Sequence, residues 1–209
     1  MKPKIDRLNV LEWETRAKRK GLKSVMSNRW NLGQCEEATF ELKKSIFKFI
    51  PTLKDKYVLE VGCGIGRFTN DLSMNAKEVH ALDISPSMLR RAKENVNNKV
   101  VIFEQTAIHE IDFKKYLDFV FEVTVLQHIT DQKLFETSIK KIKSATNDLG
   151  YIFLCGEMAD VRKQISPNTI LRTINEYVEL MKPWYLIKSQ LHSCVTDLYL
   201  MTLWKKSGD

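Results

Sequence analysis

Long apolar runs are missing from this 209-residue sequence: no stretch approaches the ~20 consecutive apolar residues of a membrane-spanning helix, so a membrane partner is not expected. The four cysteines, Cys35, Cys63, Cys155 and Cys194, lie far apart, with no C-x-x-C pair and no histidine at metal-ligand spacing. That excludes a zinc ribbon or a dense disulfide framework, and it predicts reduced thiols with no metal centre. Internal repeats, low-complexity tracts and Pro/Gly-rich linkers are also absent, which argues against a solenoid or a string of modules. The opening Met1-Lys2-Pro3-Lys4 carries charge where a signal peptide would be apolar, so a cytoplasmic location is expected.

What is present is the composition of a folded domain. Apolar residues make up 44% and charged residues 28%, far from the signature of disorder, and the length suits a single core. The formal net charge is +7, which could attract an anionic small substrate or nucleic acid. The basic residues cluster only locally, at Arg16–Lys20, Lys140–Lys143 and Lys205–Lys206, and most share their segments with acids. They read as solvated helix faces, and nucleic acid is not the expected partner.

Short β-rich runs at Tyr57–Val61, Glu78–Leu82, Val100–Phe103, Leu117–Val123 and Tyr151–Cys155 alternate with helical signals. This is the pattern of parallel strands joined by crossover helices. Ser85-Pro86 and Thr130-Asp131 supply helix-opening residues. Two helices are expected ahead of the first strand, around Leu8–Lys20 and Glu37–Ile50. One more, with Ile170, Ile174, Tyr177 and Leu180 on a face, is expected after Pro167. Trp184–Leu191 and Val195–Trp204 read as an antiparallel pair. The expected fold is a Rossmann-like doubly wound α/β sheet, mostly parallel with an antiparallel C-terminal strand. Residues 1–52 would form a helical lid and residues 53–209 the main domain.

The most informative stretch runs from Val58 to Thr69, with Glu60 two residues ahead of Gly62, Gly64 and Gly66. It reads as a strand turning sharply into a helix that begins near Gly66. Glycines at alternate positions permit left-handed backbone and close approach of a ligand. A second strand ends in Asp83, at the distance where doubly wound folds place a ribose-binding carboxylate. Dinucleotide enzymes use G-x-G-x-x-G, whereas here the glycines alternate strictly after an acid.

That spacing resembles the E-x-G-x-G-x-G motif of class I S-adenosylmethionine-dependent methyltransferases, and the resemblance extends from Lys54 to about Lys206. It implies S-adenosylmethionine as cofactor and S-adenosylhomocysteine as product. Glu60, Gly62, Cys63 and Gly64 would lie along the methionine part, with Arg67 starting the helix beneath it. Asp83 would hold the ribose, with Ile84 and Met88 against the adenine. Most relatives place an acid near the end of the third strand. This chain reads Gln105-Thr106-Ala107-Ile108, so the adenine would be met by Ala107 main chain and by Ile108.

By the same resemblance the segment from Phe119 to Asp131 lines the mouth where donor and acceptor meet, with Glu122, Val123 and Gln127 bordering the cofactor. The carboxyl end of a strand is also where an open α/β sheet binds ligands. His128 is either a general base or acceptor-orienting group, or a structural histidine that caps the next helix or satisfies a backbone carbonyl. Glu157 poses the same pair of readings, proton acceptor or solvated loop carboxylate. Trp13, Arg29, Trp30 and Gln34 belong to the N-terminal segments that commonly cover this pocket in the family. Methyl transfer from a sulfonium is an in-line displacement in which positioning carries much of the work.

The segment from Val125 to Ile129 is similar to those of small-molecule methyltransferases, which implies a small acceptor methylated on O or N. Gly64-Ile65-Gly66-Arg67 and His128-Ile129-Thr130-Asp131-Gln132 also resemble protein N-terminal α-amine methyltransferases. There, however, a tryptophan is expected near Thr124 and an asparagine at Glu157. A peptide amino terminus is therefore the alternative acceptor. A cofactor-binding scaffold without turnover is the alternative from another class. The sequence leaves the acceptor's identity and the oligomeric state open.

Overall fold

All five strands of the alternation lie side by side: β1 (Tyr57–Val61), β2 (Glu78–Asp83), β3 (Val101–Gln105), β4 (Leu117–Val123) and β5 (Thr146–Glu157). A short hairpin of β6 (Lys163–Ser166) and β7 (Thr169–Leu171) stands apart from them, and β8 (Trp184–Cys194) and β9 (Asp197–Lys206) complete the main sheet. The computed structural model describes residues 4–114 and 116–206; residues 1–3, read above for their lack of an apolar leader, lie outside the described residues. Among the described residues no helix is long and apolar enough to cross a membrane, and no group of three or more His, Cys, Asp and Glu could hold a metal.

The strand order is β3-β2-β1-β4-β5-β9-β8, with β1 to β5 parallel and β9 antiparallel to both of its neighbours. The expected sheet, parallel but for a C-terminal strand, is the one observed. Chain order reverses between β1 and β4, which opens a crevice at their carboxyl ends.

Side chains alternate between the two faces of a strand, so each strand feeds two cores. Val58, Phe119, Phe121 and Phe153 point one way, toward α2 (Leu32–Phe49). Leu59, Val120, Ile152 and Leu154 point the other way. Earlier in the chain lies α1 (Lys4–Ala17), and α3 (Thr69–Ser73) and α4 (Pro86–Asn95) follow β1 and β2. Beneath the second face pack α5 (Gln132–Ala145), through Phe135, Ile139 and Ile142, and α6 (Ile174–Met181), through Tyr177 and Met181.

Two local expectations change. The helix after the glycine turn begins at Thr69 rather than near Gly66, because Gly62, Gly64 and Gly66 all have positive φ and keep the backbone out of the helical region. Ile170 belongs to β7, not to the following helix. Thr173 and Glu176 form a capping box that starts α6 at Ile174, and β7 pairs with β6 instead.

Candidate active site

The glycine turn and the end of β2 are tied together by main-chain bonds to one carboxylate. Asp83 Oδ2 accepts from the Gly64 N–H at 2.8 Å and Oδ1 from the Ser85 N–H at 2.9 Å. Asp83 lines a cavity of about 640 Å³ at the carboxyl ends of β1, β2 and β4, a volume within the usual range for small-ligand sites. Burial pushes the Asp83 carboxyl up to about 6. Glu60, on the same wall, is pushed by burial to about 8 and accepts a hydrogen bond from the Thr69 hydroxyl. At neutral pH the two acids therefore differ, with Asp83 largely ionised and Glu60 holding a proton.

Gly62, Cys63, Gly64, Arg67, Ile84, Ala107 and Ile108 line the same cavity. Gly62 has φ +69, and a Cβ there would lie 2.4 Å from Val125 Cγ2, so the turn and the β4 loop interlock only around a glycine. Arg67 lies over Phe68 at 4.6 Å, and its Nε donates to Thr39 Oγ1 at 3.2 Å. Its Nη2 is buried without a hydrogen-bond partner among the described residues. A guanidinium with an unused donor is where an anion is missed most.

At the end of β4 the side-chain alternation decides which residues reach the cavity. Phe121 and Val123 line it, whereas Glu122 lies on the opposite face near Leu126 and Tyr177. The Glu122 carboxylate accepts from the N–H groups of Val125 (2.5 Å) and Leu126 (2.9 Å), shaping the loop from beneath. Burial pushes it up to about 7. Thr124 has φ +59, a left-handed conformation that a β-branched residue rarely adopts.

His128 follows on a short 3-10 turn and lines the cavity. Its Nδ1 lies 2.9 Å from the Asn168 carbonyl in the β6–β7 hairpin, and the edge of Trp13 meets its ring at 5.2 Å. Burial pushes its pKa down to about 4, so the ring is neutral at physiological pH.

Several expected site residues lie elsewhere. Glu122 and Gln127 border a small recess behind the β4 loop, and Gln127 Oε1 accepts the Glu157 N–H at 3.1 Å. Glu157 does not line the cavity; Asp197 and Arg29 are its charged neighbours. Met88 is fully buried behind the wall with Ala17 and Ile65, because the helical period of α4 turns it toward α1. Trp30 is buried against the C-terminal hairpin, donating to Thr196 Oγ1 at 3.1 Å, and Arg29 pairs with Asp197 there. Gln34 closes the capping box of α2 with Asn31. Of the four expected covering residues, only Trp13 reaches the cavity.

Its neighbours on α1, Asn9, Val10, Leu11 and Glu14, also line the cavity, which the sequence reading did not foresee. Glu14 accepts from Ser85 Oγ (2.5 Å), Ser87 N (3.0 Å) and Ser87 Oγ (2.7 Å), fastening α1 to the start of α4. Arg91 holds the end of α1 through the carbonyls of Ala17 and Arg19. The one usable signal was Glu14 beside Trp13, an acid facing the bare N–H groups that every helix start presents.

Residues 58–150 match the model of a methyltransferase domain family. Phosphoethanolamine N-methyltransferase 3 of Arabidopsis thaliana is 29% identical over 154 residues, covering 70% of this chain and 31% of that protein. The chain thus spans about a third of the length of the phosphoethanolamine N-methyltransferases it matches. In fold it is similar to a SAM-dependent methyltransferase of Leishmania major, with TM-score 0.77, 17% identity, and 96% of this chain and 83% of that one covered. It is also similar to the N-methyltransferase NodS of Bradyrhizobium japonicum in complex with S-adenosylhomocysteine. There the TM-score is 0.71, the identity 15%, and the coverage 95% of this chain and 98% of that one.

Proposed function

We propose that the chain is a class I S-adenosylmethionine-dependent methyltransferase, and that it methylates a nitrogen or oxygen atom of a small molecule. The observation that carries the cofactor reading is the unpartnered, buried Nη2 of Arg67 on the same wall as the Asp83 carboxylate. A cation with a free donor suits the methionine carboxylate. A carboxylate has about four lone-pair sites, so beyond the Gly64 and Ser85 N–H groups Asp83 keeps capacity for a ribose diol. Ile84, Ala107 and Ile108 offer apolar surface for the adenine. When bound, S-adenosylmethionine supplies a sulfonium-activated methyl group.

The chain's own part is to place the acceptor and exclude water. Trp13, Ile129 and Leu134 give the cavity an apolar rim beside His128. At a pKa of about 4, His128 is too weak a base to take a proton from an alkylammonium or a hydroxyl, so its contribution is to accept a hydrogen bond that orients the nucleophile. Among the described lining residues Arg67 is the only guanidinium or ammonium. A second guanidinium, Arg16, lies behind the rim over the Trp13 ring at 4.7 Å, and the proposed acceptor is an amine or hydroxyl compound. The proposed lid is α1 together with Val25 from the segment after it, whereas α2 packs into the main core.

Calorimetric titration with S-adenosylhomocysteine tests the cofactor reading without the acceptor, and micromolar one-to-one binding is expected. Turnover is then sought by mass spectrometry against a library of amines, phenols and short peptides. Folded protein that fails to bind S-adenosylhomocysteine overturns the proposal. Binding without methylation of any library member would favour a non-catalytic scaffold.

A further inference from the structure

The β6–β7 hairpin is an insertion beside the main sheet, and it reaches His128 in two ways. At its turn, the Asn168 carbonyl lies 2.9 Å from His128 Nδ1, and the neighbouring Thr169 Oγ1 lies 3.2 Å from the same nitrogen. A carbonyl only accepts, so Nδ1 must carry the proton. In a neutral ring Nε2 is then the bare nitrogen, and it has no hydrogen-bond partner among the described residues.

Just past β7, Arg172 is 1% exposed, and it spans the histidine's own turn. Its Nη1 donates to the Leu126 carbonyl at 3.4 Å and its Nη2 to the Ile129 carbonyl at 2.7 Å, bracketing His128 on both sides. The guanidinium lies over the Phe135 ring at 3.6 Å. Its Nε has no partner, and no carboxylate pairs with it among the described residues. A buried cation with no directly paired carboxylate, only the nearby Glu176 field, is expensive to keep. What it holds is the backbone that aims the imidazole.

We propose that this hairpin is a positioning element: the Asn168 carbonyl fixes His128 as its Nδ1–H tautomer, and Arg172 pins the turn so that Nε2 faces the acceptor. The assignment deepens the methyl-transfer reading and rests on it for the acceptor. A bare Nε2 recognises a nucleophile that still bears hydrogen, an N–H or O–H, and offers nothing to a thiolate, carboxylate or phosphate. Arg172 acts only through the turn and is a positioning residue, whereas Nε2 is the atom that meets the substrate.

The test is the ¹⁵N spectrum of the His128 side chain in labelled protein near neutral pH, assigned by loss of its signals in His128→Gln. The expected wild-type spectrum has a protonated, pyrrole-type Nδ1 and an unprotonated, pyridine-type Nε2. Arg172→Met is expected to convert this to a mixture of tautomers, while Arg172→Lys, which can still donate to a carbonyl, retains the single form. S-adenosylhomocysteine affinity, read by calorimetry on the same samples, is expected to stay within about twofold, since lost hydrogen bonds at the rim leave the cofactor wall intact. A wild-type ring protonated at Nε2 overturns the proposal whether or not the Arg172 variants fold. An Arg172→Met spectrum identical to wild type overturns the pinning role. Failure of every sample to bind S-adenosylhomocysteine would instead strike the cofactor reading and leave the tautomer result standing.

Discussion

The two walls of the cavity are built by different means. The cofactor wall comes from two short turns, 62–66 and 83–85, joined by backbone bonds to one carboxylate. The acceptor rim comes from residues far apart in the chain: Trp13 from α1, His128 from the β4 loop, and Asn168 and Arg172 from the hairpin region. The first wall is local chemistry, in which glycine torsions and one acid determine the shape. The second is long-range packing, in which a single imidazole is oriented by three separate segments.

The largest expected effect breaks the first wall. Asp83→Ala should weaken S-adenosylhomocysteine binding about 10- to 100-fold, as lost charge-assisted hydrogen bonds are worth about 1.5–3 kcal/mol. Calorimetry with circular dichroism as the folding control measures it, and unchanged affinity would remove Asp83 from the ribose role. Next, Gly62→Ala sets a Cβ against Val125 at a positive φ. It should cost about 1–3 kcal/mol of stability in urea unfolding, the usual scale for overpacking.

On the rim the effects are smaller and separable. His128→Ala should lower turnover about 3- to 10-fold, the worth of one oriented neutral hydrogen bond, while S-adenosylhomocysteine affinity holds. A loss of several hundredfold would make His128 a general base after all.

A separate effect falls on pH-dependent stability. Burial raises Glu60 to about 8 and Glu122 to about 7 from ordinary values of 4.5. Groups raised in this way hold protons in the folded state that the unfolded chain has released, so their contribution is complete in acid and is lost as pH climbs through the raised values. His128, lowered to about 4 from 6.5, works in the opposite direction, but only below about pH 6.5. Melting temperatures of the ligand-free protein should therefore fall between about pH 6.5 and about pH 8.5, with a gentler slope in Glu122→Gln. A rise over that range would mean that both glutamates are already ionised in the fold.

The contrast between the walls also explains what could be read in advance. The strands and the mostly parallel sheet were legible from local alternation, and Glu60, Gly62 and Gly64, which line one cavity with Asp83, lie within five positions of each other. Glu122 and Val123 are neighbours in sequence, but a period of two sends them to opposite faces, so only Val123 reaches the cavity. Trp30, Arg29 and Gln34 resembled cover residues because they precede the main domain, yet each is committed to a contact the sequence does not display: a C-terminal hydroxyl, Asp197, and a helix cap. Ile170 imitated helical spacing with Ile174 until β6 paired with it. The unread part consists of choices made by distant partners.

One fastening on α1 bears on time rather than affinity. Glu14 grips both hydroxyls and a backbone N–H at the start of α4, immediately after the loop that carries Asp83. If α1 serves as the lid, its opening parts these three bonds. On the proposed reading, the residence time of a bound nucleoside would be tied to this half-buried glutamate, and release rather than chemistry would limit the cycle.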